Sequence, residues 1–314
     1  MTTDRPTSAT VAVSGASGLI GTALTTALRT AGYSVRRLIR GDAGPGDIGW
    51  NPAAGAIDAD GLDGIDAIVN LSGAGIGDHR WTDGYKHTLV ASRVESTDLL
   101  ARTIARLERP PRVFLSASAV GFYGNRGDEE LDESAPPGDG FLADLCRRWE
   151  DATAPAADAG VATTLLRTGV VLTTRGGALA KQLPLFKLGL GAKFGSGRQY
   201  LAWISLDDHI AACLHLLAAE LPGPVNLTAP LPVRNAEFTS ALADAVHRWH
   251  LPIGIPMALP SLVLGAERAT HLLGYSQRAI PVALQRSGFA FSHPVLPTAL
   301  AHVLGGDAEA SAGG

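Results

Sequence analysis

Charge is scarce in this chain and cysteine scarcer. Only 18% of the 314 residues are Asp, Glu, Lys or Arg, and the formal net charge is −4. No basic run or aromatic–basic interleaving occurs, so the electrostatic footprint of a nucleic-acid binder is missing. The two cysteines, Cys146 and Cys213, read as buried thiols of a reducing compartment rather than as a disulfide framework. No apolar run approaches the ~20 residues that a membrane span requires. The most apolar window, IPMALPSLVLGA at 255–266, is shorter and holds two prolines. The opening MTTDRPTSAT lacks the apolar core of a secretory signal. The nine histidines show no HExxH spacing, and no metal site is expected. What these absences leave is a cytoplasmic protein with a small-molecule substrate, no nucleic-acid or membrane partner, and either a monomeric or a homodimeric state.

What the chain does have is alternation. Apolar strand-like runs at 11–15, 34–40, 64–73, 111–118, 161–172 and 222–230 are interleaved with helical periodicity at 19–33, 89–107, 141–155 and 203–220. Buried strands separated by helices predict an α/β chain with a doubly wound parallel sheet covered on both faces. The pattern loosens after 175, where GLGAKFGSGRQY (189–200) is glycine-rich and irregular. The expected division is a nucleotide-binding domain from 8–175 and 200–230 and a smaller C-terminal substrate lobe from 176–199 and 231–305. Residues 1–7 and 306–314 are expected to be disordered tails.

GASGLIG (15–21) sits between the first strand and the first helix. Gly15 permits a tight turn, Gly18 admits a pyrophosphate close to the backbone, and Gly21 allows close helix–strand packing. Ser17, Leu19 and Ile20 complete the loop, and the helix N-terminus offers N–H groups and a favourable dipole. About 20 residues on, an NAD site usually carries an acid for the ribose hydroxyls. Here strand two ends RRLIR, with Arg40 19 residues past Gly21. An acid would repel a 2′-phosphate and an Arg would bind it, so NADP(H) is the expected cofactor. Asp42, two residues on, is a second group within reach of a ribose, and Arg36 and Arg37 read as a solvated strand edge. NLSGAG (70–75) ends a strand in small residues, and Leu71, Ser72 and Gly73 are expected against the cofactor.

The chain resembles the short-chain dehydrogenase/reductase superfamily in its extended or atypical form, and within it the group labelled "epimerase family protein", whose members carry a C-terminal domain of unknown function. The resemblance rests on GASGLIG (15–21), WNPAAG (50–55), NLSG (70–73), RWTDGYKHTLVASRV (80–94), SASAVGFYG (116–124), FLADLCRRWE (141–150), LLRTGVVL (165–172), GSGRQYLAWISLDD (195–208), PVRNAEF (232–238) and QRAIPVALQRSGFAF (277–291). It implies a Rossmann-type sheet, NADP(H) binding and a smaller substrate lobe, and it implies no particular reaction. In ordinary relatives a strand-end Ser or Thr holds the substrate oxygen, a Tyr transfers the proton, and a Lys one helical turn later lowers the Tyr pKa. With Glu150 setting the register, FLADLCRRWE places Leu142 at the Tyr position and Cys146 at the Lys position. The usual relay is absent.

Replacements are sought nearby. Ser118 stands at the strand-end Ser position and reads as a catalytic and cofactor-side residue, or as a loop cap. Tyr123 is the first candidate for proton donor and substrate contact, against a packed loop aromatic. Lys86, after RWTDGY, reads as a catalytic candidate or as a solvated helix Lys. Cys146 is expected to face the nicotinamide, although a helix-interior thiol is often inert. Arg198, Gln199 and Tyr200 look like a substrate-recognition loop, with Arg198 suited to a carboxylate or phosphate or else an ordinary surface Arg. Asp207 and Asp208 are expected to cap a helix. Ala74 and Gly75 stand where the group commonly has Glu and Pro, and Val282 and Ala283 where it commonly has basic residues. These departures suggest a specialised biosynthetic tailoring enzyme. Two function classes therefore remain: an NADP-dependent oxidoreductase or epimerase with an unusual proton source, and a non-catalytic NADP(H)-binding or sensing protein.

Overall fold

The computed structural model describes residues 9–312, with side chains described through 305. The strands are β1 (Thr10–Ser14), β2 (Ser34–Arg40), β3 (Ile48–Asn51), β4 (Ala56–Ile57), β5 (Ala67–Asn70), β6 (Val113–Ala119), β7 (Glu130–Leu131), β8 (Ala162–Thr168), β9 (Val170–Leu172), β10 (Tyr200–Leu201), β11 (Trp203–Ser205), β12 (Gly223–Leu227), β13 (Val233–Arg234) and β14 (Arg278–Ala279). The helices used below are α1 (Leu19–Thr30), α2 (Asp83–Ile104), α3 (Phe141–Asp151), α4 (Ala154–Asp158), α5 (Gly177–Lys187), α6 (Leu206–Ala219), α7 (Asn235–Ala245), α8 (Ala258–Leu264), α9 (Ala266–Ala269), α10 (Val282–Arg286) and α11 (Leu296–Ala312). Eight strands form one sheet in the order β12-β8-β6-β5-β1-β2-β3-β4, parallel except for the β3–β4 pair.

Strand alternation builds a core on each face of the sheet, as period-two geometry requires. Val11 and Val13 of β1 pack with Leu24 and Leu28 of α1 and with Leu216 and Leu217 of α6. Ala12, between them, faces the other way, into a cluster with Ile68, Phe114, Leu100, Ile104 and Ala156 from β5, β6, α2 and α4. The sheet is thus the doubly wound, Rossmann-type arrangement expected. A third cluster gathers Leu179, Phe186, Trp203, Phe238, Leu242 and Leu300, from α5, β11, α7 and α11, beside the sheet.

Local differences from the sequence expectation have simple causes. α2 starts at Asp83, not at 89, because Thr82 caps it, its hydroxyl accepting from the Tyr85 N–H at 3.2 Å. The helix after Phe141 ends at Asp151 and restarts as α4, with Pro155 in the new first turn. Ser205 caps α6, its hydroxyl accepting from the Asp208 N–H, while Asp208 itself accepts from the backbone of Ser292 and His293. The tail expected at 1–7 lies outside the described residues. That expected at 306–314 lies outside those with described side chains, although α11 runs to Ala312. Both cysteines are buried and free. Among the described residues no helix is long and apolar enough to cross a membrane.

Candidate functional site

β1 and β5 are neighbours, yet the chain leaves them toward opposite edges of the sheet. Such a switch point opens a crevice outside the carboxyl ends of the strands. The glycine loop forms one wall and Leu71–Gly73 the other. Gly15 has φ +67°, and a Cβ there would lie 2.6 Å from the Leu71 carbonyl oxygen. A Cβ on Gly21 would lie 2.1 Å from the Gly15 oxygen, so both positions exclude any side chain. Gly18 caps α1 in an extended conformation without a side-chain hydrogen bond. The N–H groups of Leu19, Ile20 and Gly21 find no acceptor among the described residues. Orphan donors at a helix N-terminus behind an open glycine turn fit a pyrophosphate.

Buried polar bonds stiffen the floor of this crevice. The Ser14 hydroxyl donates to Asn70 Oδ1 at 2.6 Å, and Asn70 Nδ2 donates to Thr97 Oγ1 at 2.8 Å. Trp149 Nε1 donates to the same Thr97 oxygen at 3.0 Å. β1, β5, α2 and α3 are thereby tied together below the cleft. At the carboxyl end of β2, Arg40 is exposed, and its guanidinium has no hydrogen-bond or ion-pair partner among the described residues. Its neighbours are engaged. Arg36 donates to the Gly46 and Gly61 carbonyls, and Arg37 pairs with Asp47 at 2.7 Å, which holds the Asp47 carboxyl below its usual range.

The expected replacements for the proton relay have other work. Tyr123 is fully buried; its hydroxyl donates to Asn226 Oδ1 at 2.7 Å and accepts from Arg167 Nη1 at 3.0 Å. Burial pushes its pKa up to about 12. It is a core hydroxyl with both of its hydrogen bonds made inside the protein, a placement that favours the packed loop aromatic over the proton donor. Ser118 gives its single O–H proton to Glu150 Oε1 at 2.6 Å, and only 4% of its surface is exposed. Glu150 in turn holds Arg167 bidentately, at 2.9 Å through both Nε and Nη2. The Ser118 hydroxyl is therefore committed to a buried ion pair and does not serve the cleft as a donor. Lys86 pairs with Glu267 of α9 and lies 5.3 Å from the Phe141 ring, so its amine ties α2 to α9 and α3. Cys146 is buried against Gly121, where a Cβ would lie 3.7 Å from its sulfur, and burial raises its thiol to about 12. It is an inert packing residue.

The GSGRQY loop divides. Gln199 Nε2 donates to the Phe194 and Leu273 carbonyls, and the Tyr200 ring lies beneath Arg234 at 4.4 Å. Both residues line a small cavity with Val170, Gln182, Phe238 and Tyr275. Arg198 is exposed and does not line that cavity, so it lacks the position of an anion receptor there.

Beyond Gly73 the chain crosses from the sheet to α2 as a clasped loop. Its carbonyls are bound by side chains: Ala74 by Arg93, Gly75 by the Tyr85 hydroxyl, Ile76 by Trp81 Nε1, Gly77 by Lys181 and Arg268, and His79 by Arg268. Lys181 and Arg268 come from α5 and α9, so elements far along the chain grip this loop directly. Sequence reasoning passed over Arg93, Arg167, Lys181 and Arg268. A signal existed for two of them. Arg167 is a charge inside the otherwise apolar and threonine-rich TTLLRT strand, and Arg93 lies two helical turns beyond Lys86.

With this geometry in view, comparison with known proteins is specific. Residues 11–227 match the family model described as NAD dependent epimerase/dehydratase family, and residues 255–303 match a domain of unknown function, DUF1731. "Epimerase family protein MT2273" of Mycobacterium tuberculosis is 46% identical over 299 residues, covering 94% of this chain and 97% of that protein. Human "Epimerase family protein SDR39U1" is 37% identical over 298 residues, covering 94% and 99%. The crystal structure of the human protein (isoform 2) with NADPH superposes with a TM-score of 0.86 at 36% identity, covering 94% of this chain and 98% of that one. A nucleoside-diphosphate sugar epimerase from Corynebacterium glutamicum gives a TM-score of 0.77 at 38% identity, covering 95% of this chain and 58% of its own. The glycine loop, the switch-point cleft and these matches along nearly the whole chain lead to one conclusion: the protein belongs to the NAD-dependent epimerase/dehydratase family, in its SDR39U1-like branch with the DUF1731 C-terminal segment.

Proposed function

We propose that the protein binds NADP(H) in the switch-point cleft and acts as an atypical short-chain dehydrogenase/reductase, an oxidoreductase or epimerase for a small-molecule carbonyl or alcohol. The observation that carries the cofactor choice is Arg40, a cation at the end of β2 with no partner among the described residues. A guanidinium there matches a 2′-phosphate, and a charged hydrogen bond of this kind contributes about 1.5–3 kcal/mol. The NADPH in the human relative's structure supports the same reading. The cofactor, when bound, supplies or accepts hydride. The chain's own residues cradle the pyrophosphate at Gly15–Gly21, fix the cleft floor through Ser14, Asn70 and Thr97, and close the far side with the clasped 74–79 loop. The small cavity beside Gln199 and Tyr200 is the place for substrate groups. Because Tyr123, Ser118 and Cys146 are committed elsewhere, proton transfer falls to solvent or to the substrate itself.

A second reading, an NADP(H)-binding or sensing protein without turnover, is favoured by that same commitment of every expected proton donor. Thermal shift with NADPH and NADH on wild type and Arg40→Asp tests the cofactor assignment. Wild type should prefer NADPH, and the variant should lose about tenfold to a hundredfold in NADPH affinity while keeping its NADH affinity. Equal stabilisation of wild type by both dinucleotides would refute the preference. NADPH oxidation with a panel of ketones and enones separates the two readings: turnover of any member supports the enzyme, and none leaves the sensor.

A further inference from the structure

Arg93 is a cation in an unusual position. Its Nη1 donates to the Leu89 carbonyl at 3.1 Å and its Nη2 to the Ala74 carbonyl at 2.9 Å, and its guanidinium lies 5.1 Å from the Trp149 ring. A Cβ placed on Gly73 would come within 3.0 Å of its Cζ. Gly73 itself is exposed in the cleft wall. Burial works against the charge, and no carboxylate pairs with it among the described residues. Arg167, which is buried, has Glu150 bound bidentately. A partly buried guanidinium held by neutral carbonyls and an aromatic ring, with no counter-ion, is costly, and an arriving anion offsets that cost.

The sheet order says which part of a dinucleotide this cation meets. Across the switch point the strands run β2-β1-β5-β6. Arg40 ends β2 and marks the adenosine side, and the glycine loop after β1 marks the pyrophosphate. Arg93 stands beyond β5, between the 72–75 segment and α3, with Gly73 on one side of its guanidinium and the Trp149 ring of α3 on the other. We propose that Arg93 is a cofactor-binding residue for the nicotinamide half of the dinucleotide, its remaining N–H groups donating to pyrophosphate and nicotinamide-ribose oxygens. α2 then supplies the cation that α3 lacks at Cys146. This rests on the dinucleotide reading above. A planar fork suits paired oxygens better than an ammonium does.

The test compares NADPH with adenosine 2′,5′-bisphosphate, which keeps the 2′-phosphate end and lacks the nicotinamide half. Both are titrated calorimetrically into wild type, Arg93→Gln and Arg93→Lys, with circular dichroism as the control for folding. The Gln variant should bind NADPH about tenfold to a hundredfold more weakly and the bisphosphate within about twofold of wild type. The Lys variant should recover part of the loss. Equal losses for both ligands would reduce Arg93 to a prop for the 74–79 loop, and an unchanged NADPH affinity would also overturn the proposal. If the Gln variant does not fold, the Lys variant decides by the same comparison: a selective NADPH loss supports the assignment, and a parallel loss or none refutes it. Wild type that binds neither ligand would overturn the dinucleotide reading and this proposal together.

Discussion

Tyr123→Phe is the sharpest test of where the hydroxyl chemistry of this fold resides. The phenol is fully buried and makes two hydrogen bonds, to Asn226 Oδ1 and from Arg167 Nη1. Arg167 keeps its Glu150 and Glu133 acceptors when the phenol oxygen goes. Asn226 does not fare as well. Its amide nitrogen remains bonded to the Leu131 and Ile280 carbonyls, but its Oδ1 loses its donor in a dry interior. An orphaned buried acceptor costs about 1–3 kcal/mol. For a chain of this size that lowers Tm by roughly 2–5 °C. Scanning calorimetry with and without NADPH should show a lower Tm and an NADPH-induced shift equal to that of wild type. Removing both partners, as Tyr123→Phe with Asn226→Leu, should cost less than the two single losses added together. An unchanged Tm in the single variant would refute the structural assignment. So would a normal Tm accompanied by loss of an NADPH-dependent turnover, which would return Tyr123 to the active site.

Two further outcomes follow from buried charge. Glu150→Gln leaves the Arg167 guanidinium without its counter-ion, at a cost of about 3–5 kcal/mol. Urea unfolding should register this as a lower midpoint at unchanged slope, and a midpoint equal to wild type would show the pair to be dispensable. His209 is buried beside Cys213 and within 3.2 Å of the Thr168 hydroxyl, and burial lowers its pKa to about 4. The folded pKa lies below the ordinary value of about 6.5, so between those limits only the unfolded chain takes up the proton. Stability from this group is complete above pH 6.5 and is lost as the pH falls toward 4, by about 3 kcal/mol in all. The difference in urea midpoint between wild type and His209→Gln should narrow over that window, and parallel curves would refute the shift.

The nucleotide half was legible because its determinants are local. The glycine spacing and the basic end of β2 each sit within one turn or strand end, and period-two and helical patterns carried the sheet and its helices. β3 and β4 escaped because they are only four and two residues long, and the burial of Trp50 in one cluster with Leu38 and Ile48 is set by tertiary packing. The proton-relay candidates failed for the opposite reason. What Tyr123 does is decided by Asn226, 103 residues away, and what Ser118 does by Glu150 and Arg167. A spacing rule can place a hydroxyl at the right strand end, but only tertiary structure shows which acceptor has claimed it. The helical spacing from Lys86 placed Arg93 on that face of α2, but its meaning comes from the exposed Gly73 of another segment.

The loop from Ala74 to His79 is anchored largely through its carbonyl oxygens, by Trp81 and by donors from α2, α5 and α9. Main-chain oxygens are the same whatever residue carries them. The side chains of this segment can therefore change without loosening its path over the cleft. Such a mounting makes the loop an exchangeable cassette. Ala74 is one filling of it, whereas Gly75 can be exchanged only if Asp78 moves, since a Cβ there would lie 1.9 Å from the Asp78 carboxylate.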